Sequence, residues 1–184
     1  MFIEKIMNTC AALTLIIPTR LTNDIEYIRK EHDKAYDRWM PHINLLFPFV
    51  QNDKIPDITE RLNRELSKFP PFVLNLNEIG FFSQKDSNTY HLKPKDESGM
   101  VNLYNTIRAA IPEFRVKNNS YHPHLTLGQW KKSENPQDFL ENLFPKGIIM
   151  VVDKVQIITR NKDEYFSIQT EIPLGGSVDG GYEE

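Results

Sequence analysis

A chain of 184 residues, 40% apolar and 26% charged, carries enough hydrophobic material for a substantial core and has the composition of an ordinary globular protein. Its 22 basic and 25 acidic residues leave a net charge of −3, which excludes binding to long duplex nucleic acid through a basic surface. The lone Cys10 excludes an internal disulfide and the usual four-ligand kind of thiolate zinc site.

In chain order, the apolar run Ala11–Ile17 stops at Pro18. It is too short to span a bilayer and has no small-residue cleavage pattern after it, so it predicts a buried first strand rather than a signal peptide. Ile25, Ile28, Ala35, Tyr36 and Trp39 recur at helical spacing and predict a helix over Thr22–Trp39. His42–Phe47 is an extended apolar run between Pro41 and Pro48. Ile58, Leu62, Leu66 and Phe69 mark a second helix ended by Pro70 and Pro71. Phe72–Leu76 reads as a strand, and Phe81–Pro94 as a hairpin about Lys85–Asn88 with Thr89–Lys93 returning. Met100, Leu103, Tyr104, Ile107 and Ile111 predict a third helix. A strand over Tyr121–Gln129, a short helix over Pro136–Leu143 and a strand pair, Val151–Thr159 with Tyr165–Ile172, complete the core. The Gly-rich acidic stretch 175–184 is expected to be a flexible tail, and residues 1–174 to form a single unit.

Two segments share one pattern: Trp39-Met40-Pro41-His42-Ile43-Asn44-Leu45 and Tyr121-His122-Pro123-His124-Leu125-Thr126-Leu127. Alternate side chains of a strand share a face, so His42 with Asn44, and His124 with Thr126, point one way while the aliphatics point into a core. Packing alone does not require the polar face to recur. Interleaved helices and strands with many short turns predict an α+β fold with antiparallel or mixed sheets. One motif strand in each half predicts a bilobal, pseudo-symmetric arrangement, its sheets lining a central cleft with helices outside. Imidazoles titrate near neutrality, so one can serve as base and the other as acid. The Asn44 amide and the Thr126 hydroxyl can donate to the non-bridging oxygens of a phosphodiester.

The two His-centred motifs resemble those of the 2H phosphoesterase superfamily, and most nearly its 2′-5′ RNA ligase-like, cyclic phosphodiesterase branch. Phe47-Pro48-Phe49 after the first motif, Gly128 after the second and the Val155–Arg160 plus Tyr165–Leu174 ending add to the likeness. The resemblance implies metal-independent chemistry at 2′,3′-cyclic or 2′-5′ linkages, without cofactors. His42 and His124 would be the acid–base pair, with His124 as base, and Thr126 would bind phosphate. Asn44 departs from the family's usual Thr or Ser and is expected to replace its hydroxyl. The partners implied are an RNA end, an oligonucleotide or a small nucleotide, with no membrane, a monomeric state and a cytoplasmic or nuclear location.

Other residues have lesser claims. His122 and Tyr165 are candidate rim residues. Lys93, Arg115 and Arg160 could also reach phosphates but read more simply as solvated or packing residues, and His32 and His91 as structural ones. Two rival functions use the same residues: a metal hydrolase ligated by His42, His122 and His124, and a phosphate- or RNA-binding module without turnover.

Overall fold

The computed structural model describes residues 10–114, 120–162 and 164–175. Arg115 and nearly all of the predicted tail lie outside them. The strands are β1 (Cys10–Ile16), β2 (His42–Leu46), β3 (Phe72–Ser83), β4 (Ser87–Pro94), β5 (Leu125–Lys131), β6 (Ile148–Val152), β7 (Lys154–Arg160) and β8 (Ser167–Pro173). The helices are α1 (Asn23–His32), α2 (Ile55–Leu66), α3 (Ser98–Ala110) and α4 (Gln137–Leu143). One eight-stranded sheet runs in the order β6-β3-β4-β5-β2-β1-β7-β8, and its pairings are antiparallel. The parallel pairs that a mixed sheet would contain do not occur among these ladders.

The pseudo-symmetry is written in the pairings. Each motif strand is reached by a strand and a crossover helix, as β1-α1-β2 and as β4-α3-β5. The long β3 pairs with β6 through its first half and with β4 through its second, shifting register near Asn77. The β6–β7 stretch repeats that plan: its first half pairs with β3 and its second with β1, with Asp153 between them. Because only Asp153 separates strands lying far apart in the sheet order, the sheet must curl until the two meet. The expected strand Val151–Thr159 is therefore two strands. The run is rich in β-branched residues and carries no turn signal at the point where the chain changes partner.

Helix α1 also ends earlier than Trp39. The Asp33 backbone is extended, and its carboxylate accepts the Arg29 Nε–H and the Ala35 backbone N–H. That side chain offers the backbone an alternative to another helical turn. The turns that follow bring Trp39 against Phe166 and Phe47. The second motif strand begins at Leu125 rather than Tyr121, so His122 and His124 lie in the irregular segment leading into β5.

Ile43, Leu45, Leu125 and Leu127 are buried in the main core with Ile58, Leu62 and Leu66 of α2 and Met100, Leu103 and Ile107 of α3. Period-two burial in the strands and 3.6-residue burial in the helices lets both contribute to one interior.

Candidate active site

The halves of the sheet meet where Ile43 of β2 pairs with Leu125 of β5. Carrying that antiparallel register one residue each way sets His42 across from Thr126 and Asn44 across from His124. With Ile43 and Leu125 only 0% and 1% exposed, the four polar groups occupy the opposite face. Directly opposed side chains on an antiparallel pair lie about 4.5–5.5 Å apart at Cβ, so the register clusters these groups.

Each imidazole is held in the same way. Its Nδ1 lies 2.7 Å from the Met40 carbonyl oxygen for His42, and 2.8 Å from the His122 carbonyl oxygen for His124. A carbonyl only accepts, so Nδ1 carries the proton and Nε2 is left for chemistry. The prolines explain the recurrence. Pro41 and Pro123 bias the residues before them, Met40 and His122, toward extended backbone, which suits both carbonyls to the following ring.

The surroundings of the two rings differ. Trp39 stacks on His42 with centroids 4.5 Å apart, whereas Phe82 meets His124 edge-on at 4.9 Å and His91 lies 5.2 Å from it. Burial pushes the His42 pKa down to about 4, against the Met40 hydrogen bond, and the charges of Arg29 and His124 add to the depression. Burial also lowers the His124 pKa, opposed by its bond to the His122 carbonyl. Burial and then the His124 charge bring His91 down to about 4.

A cavity of about 290 Å³ opens on this face, lined by His42, Asn44 and Thr126 together with Arg29, Asp33 and Gln129. His124 flanks the cavity rather than lining it. Asn44 Oδ1 is buried without a partner, so Nδ2 is the amide donor left for the cavity side. Leu127 is an extra residue in the β4–β5 ladder, between Gly128 opposite Tyr90 and Thr126 opposite His91. Such a bulge reverses the alternation, which puts Gln129 on the cavity with Thr126.

The remaining sequence candidates scatter. His122 is exposed, its Nδ1 3.8 Å from Glu97 Oε2. Tyr165 is half-exposed outside the cavity lining, near Arg29, Tyr36 and Glu26; burial first, then the Glu26 charge, raises its hydroxyl pKa. Lys93 pairs with Glu78 at 3.4 Å beside a different depression. Arg160 lies over the Phe166 ring, and His32 stacks on Trp130 at 4.3 Å. Among the described residues, no three of His, Cys, Asp and Glu come together as a metal-binding group, so His42, His122 and His124 do not assemble the three-nitrogen site considered from sequence.

Sequence reasoning missed Arg29, Asp33 and Gln129 at the cavity and His91 beside His124. One signal was available: Arg29 falls four residues after Ile25 on the buried side of α1, with Asp33 four residues further on. A charged pair at that spacing on an apolar face marks a buried ion pair.

Known proteins resemble this chain over most of its length. A Bacillus cereus (strain B4264) protein named "Putative phosphoesterase" is 24% identical over 165 residues, covering 88% of this chain and 95% of its own. Escherichia coli LigT complexed with 3′-AMP superposes with a TM-score of 0.66 at 16% identity, over 90% of this chain and 98% of that one. TT0787 of Thermus thermophilus gives 0.65 at 15% identity, over 91% and 99%. These two likenesses establish the fold. The family model described as the 2′-5′ RNA ligase superfamily matches residues 17–164, and the chain belongs to that superfamily.

Proposed function

We propose that this protein is a metal-independent phosphodiesterase acting on RNA-type 2′,3′-cyclic phosphate or 2′-5′ linkages, with His42 and His124 as its acid–base pair. The observation that carries the reading is the pair of imidazoles pinned alike through Nδ1, one at the start of β2 and the other just before its neighbour β5, each leaving Nε2 free. Nucleotide-sized substrates suit the cavity, and Escherichia coli LigT, whose fold this chain shares, has been solved with 3′-AMP, ATP and phosphate.

In hydrolysis of a cyclic phosphate, water attacks phosphorus and gives its proton to one Nε2. The bond from phosphorus to one ribose oxygen breaks, and that oxygen takes a proton from the other imidazolium. The product is a phosphomonoester, and one proton has passed from one ring to the other. Asn44 Nδ2 and the Thr126 hydroxyl donate to the non-bridging oxygens, where charge grows in the transition state.

The two environments favour the reverse of the order expected from sequence. His42, held neutral by burial with the Arg29 charge nearby, suits the base. His124 has no arginine or lysine charge among the causes of its shift, and a bound phosphate anion favours its protonated form, which suits the acid.

Turnover of a nucleoside 2′,3′-cyclic phosphate in the presence of chelator is the test. The wild type should hydrolyse it. Binding without turnover would make the protein a nucleotide-binding module instead, and strict chelator sensitivity would restore the metal reading.

A further inference from the structure

We propose that Arg29 is a third anchor for the substrate, its Nη1 donating to a non-bridging oxygen of the phosphodiester held by His42 and His124. This deepens the phosphodiesterase reading and rests on it.

Arg29 is only 2% exposed, and two parts of its guanidinium are committed. Nε donates to Asp33 Oδ2 at 2.9 Å, and Nη2 donates to the Trp39 carbonyl at 2.7 Å. Nη1 is buried and has no partner, although the side chain lines the cavity beside His42. Buried donors are almost always satisfied, so an orphan at the wall of a binding cavity marks a place that a ligand completes.

The charges around it favour an anion. Among the described residues Arg29 is the sole lysine or arginine on the cavity wall, and Asp33 the sole acid. The Asp33 carboxylate is already engaged: Oδ2 accepts from Arg29, and Oδ1 accepts from the Ala35 backbone at 2.9 Å and from Gln129 Nε2 at 3.4 Å. Asp33 thus fixes the plane of the guanidinium and leaves the Nη1 donors free. The Arg29 charge also reaches His42, where it helps to disfavour a proton on the ring. The same field favours an anion set against His42 Nε2.

Chemistry supplies the remaining reason. Asn44 and Thr126 are neutral donors, whereas attack on a phosphodiester adds negative charge to the non-bridging oxygens. A desolvated guanidinium held rigidly beside them matches that charge and geometry.

The test uses the intact protein and inorganic phosphate, a probe that has no base to recognise. A crystal structure of the wild type with phosphate should place an oxygen within about 2.7–3.2 Å of Nη1. In solution, Arg29→Gln should weaken phosphate binding at least about tenfold and lower kcat/KM for a nucleoside 2′,3′-cyclic phosphate by as much, the size of one lost charge-assisted hydrogen bond. Arg29→Lys should recover part of each loss by restoring the charge without the fork. The proposal is overturned if the wild type binds no phosphate, if bound phosphate leaves Nη1 without an oxygen neighbour, or if a folded Arg29→Gln protein keeps wild-type affinity. Should Arg29→Gln fail to fold, the wild-type phosphate complex decides alone. Phosphate contact with Arg29 but no turnover would sink the phosphodiesterase reading and keep this one; turnover that depends on both histidines but not on Arg29 would do the reverse.

Discussion

Ile43 and Leu125 pair across the seam between the two halves of the sheet, and their register sets the four polar groups of the motifs against one another. His42 comes to face Thr126 and Asn44 to face His124 because these two aliphatics are buried side by side. The arrangement of the site therefore depends on hydrocarbon packing behind it. Leu125→Ala should cost about 2–5 kcal/mol of stability, the usual penalty for a cavity at a fully buried leucine. Chemical denaturation checks this, and a loss below about 1 kcal/mol would show that the seam does not depend on this contact.

Removing either ring should abolish the chemistry without unfolding the protein. His42→Ala and His124→Ala are each expected to lower kcat on a 2′,3′-cyclic nucleotide by about 10²–10⁴-fold, with circular dichroism unchanged. Retained turnover in both would reject the pair as acid and base.

Stability should fall as the medium is acidified below neutrality. The His42 pKa is depressed from its ordinary 6.5 to about 4 by burial, so both folded and unfolded chains are neutral there above pH 6.5. Between those values the unfolded chain takes up a proton that the folded one refuses, and stability declines by at most about 1.4 kcal/mol per pH unit for this group. Below about pH 4 its contribution is fully lost. Thermal midpoints from pH 8 to 4 should trace this, with a shallower fall in His42→Gln; identical slopes would mean that the ring titrates normally.

Asn44→Thr should raise both the thermal midpoint and kcat/KM. The substitution removes the buried Asn44 Oδ1, which has no partner, and restores the hydroxyl usual in the family. A severalfold slower variant would show that the amide is matched to a particular substrate.

Gly128→Ala should damage both stability and the site. A Cβ there would stand 2.5 Å from His32 Cβ and 2.9 Å from the His32 carbonyl carbon, forcing the end of α1 off β5. Overpacking of this kind costs about 1–3 kcal/mol. Arg29 and Asp33 sit on that end of the helix, so KM should rise as well, and steady-state kinetics on the folded variant would reveal it.

How the fold and the site could be read differs by element. Helices α2 and α3 were visible because each carries a stripe of apolar residues, such as Ile58, Leu62 and Leu66 of α2, buried at 3.6-residue spacing. The α1 endpoint was not, because Asp33 has no helix-breaking identity until Arg29 and Ala35 are in place to use its carboxylate. The division of β6 from β7 was hidden for a related reason: Asp153 marks a change of partner strand, and partner identity is not a local property of sequence.

Sequence by itself determined the repeated motif and the inward set of Ile43, Leu45, Leu125 and Leu127, since strand alternation acts between near neighbours. Only the tertiary structure decided that β2 and β5 adjoin, that Arg29, Asp33 and Gln129 meet at the cavity, and that His124 has His91 and Phe82 beside it while His42 has Trp39. Those placements come from contacts between segments distant in the chain, and the free energy that selects them belongs to the whole packed sheet rather than to any short stretch of it.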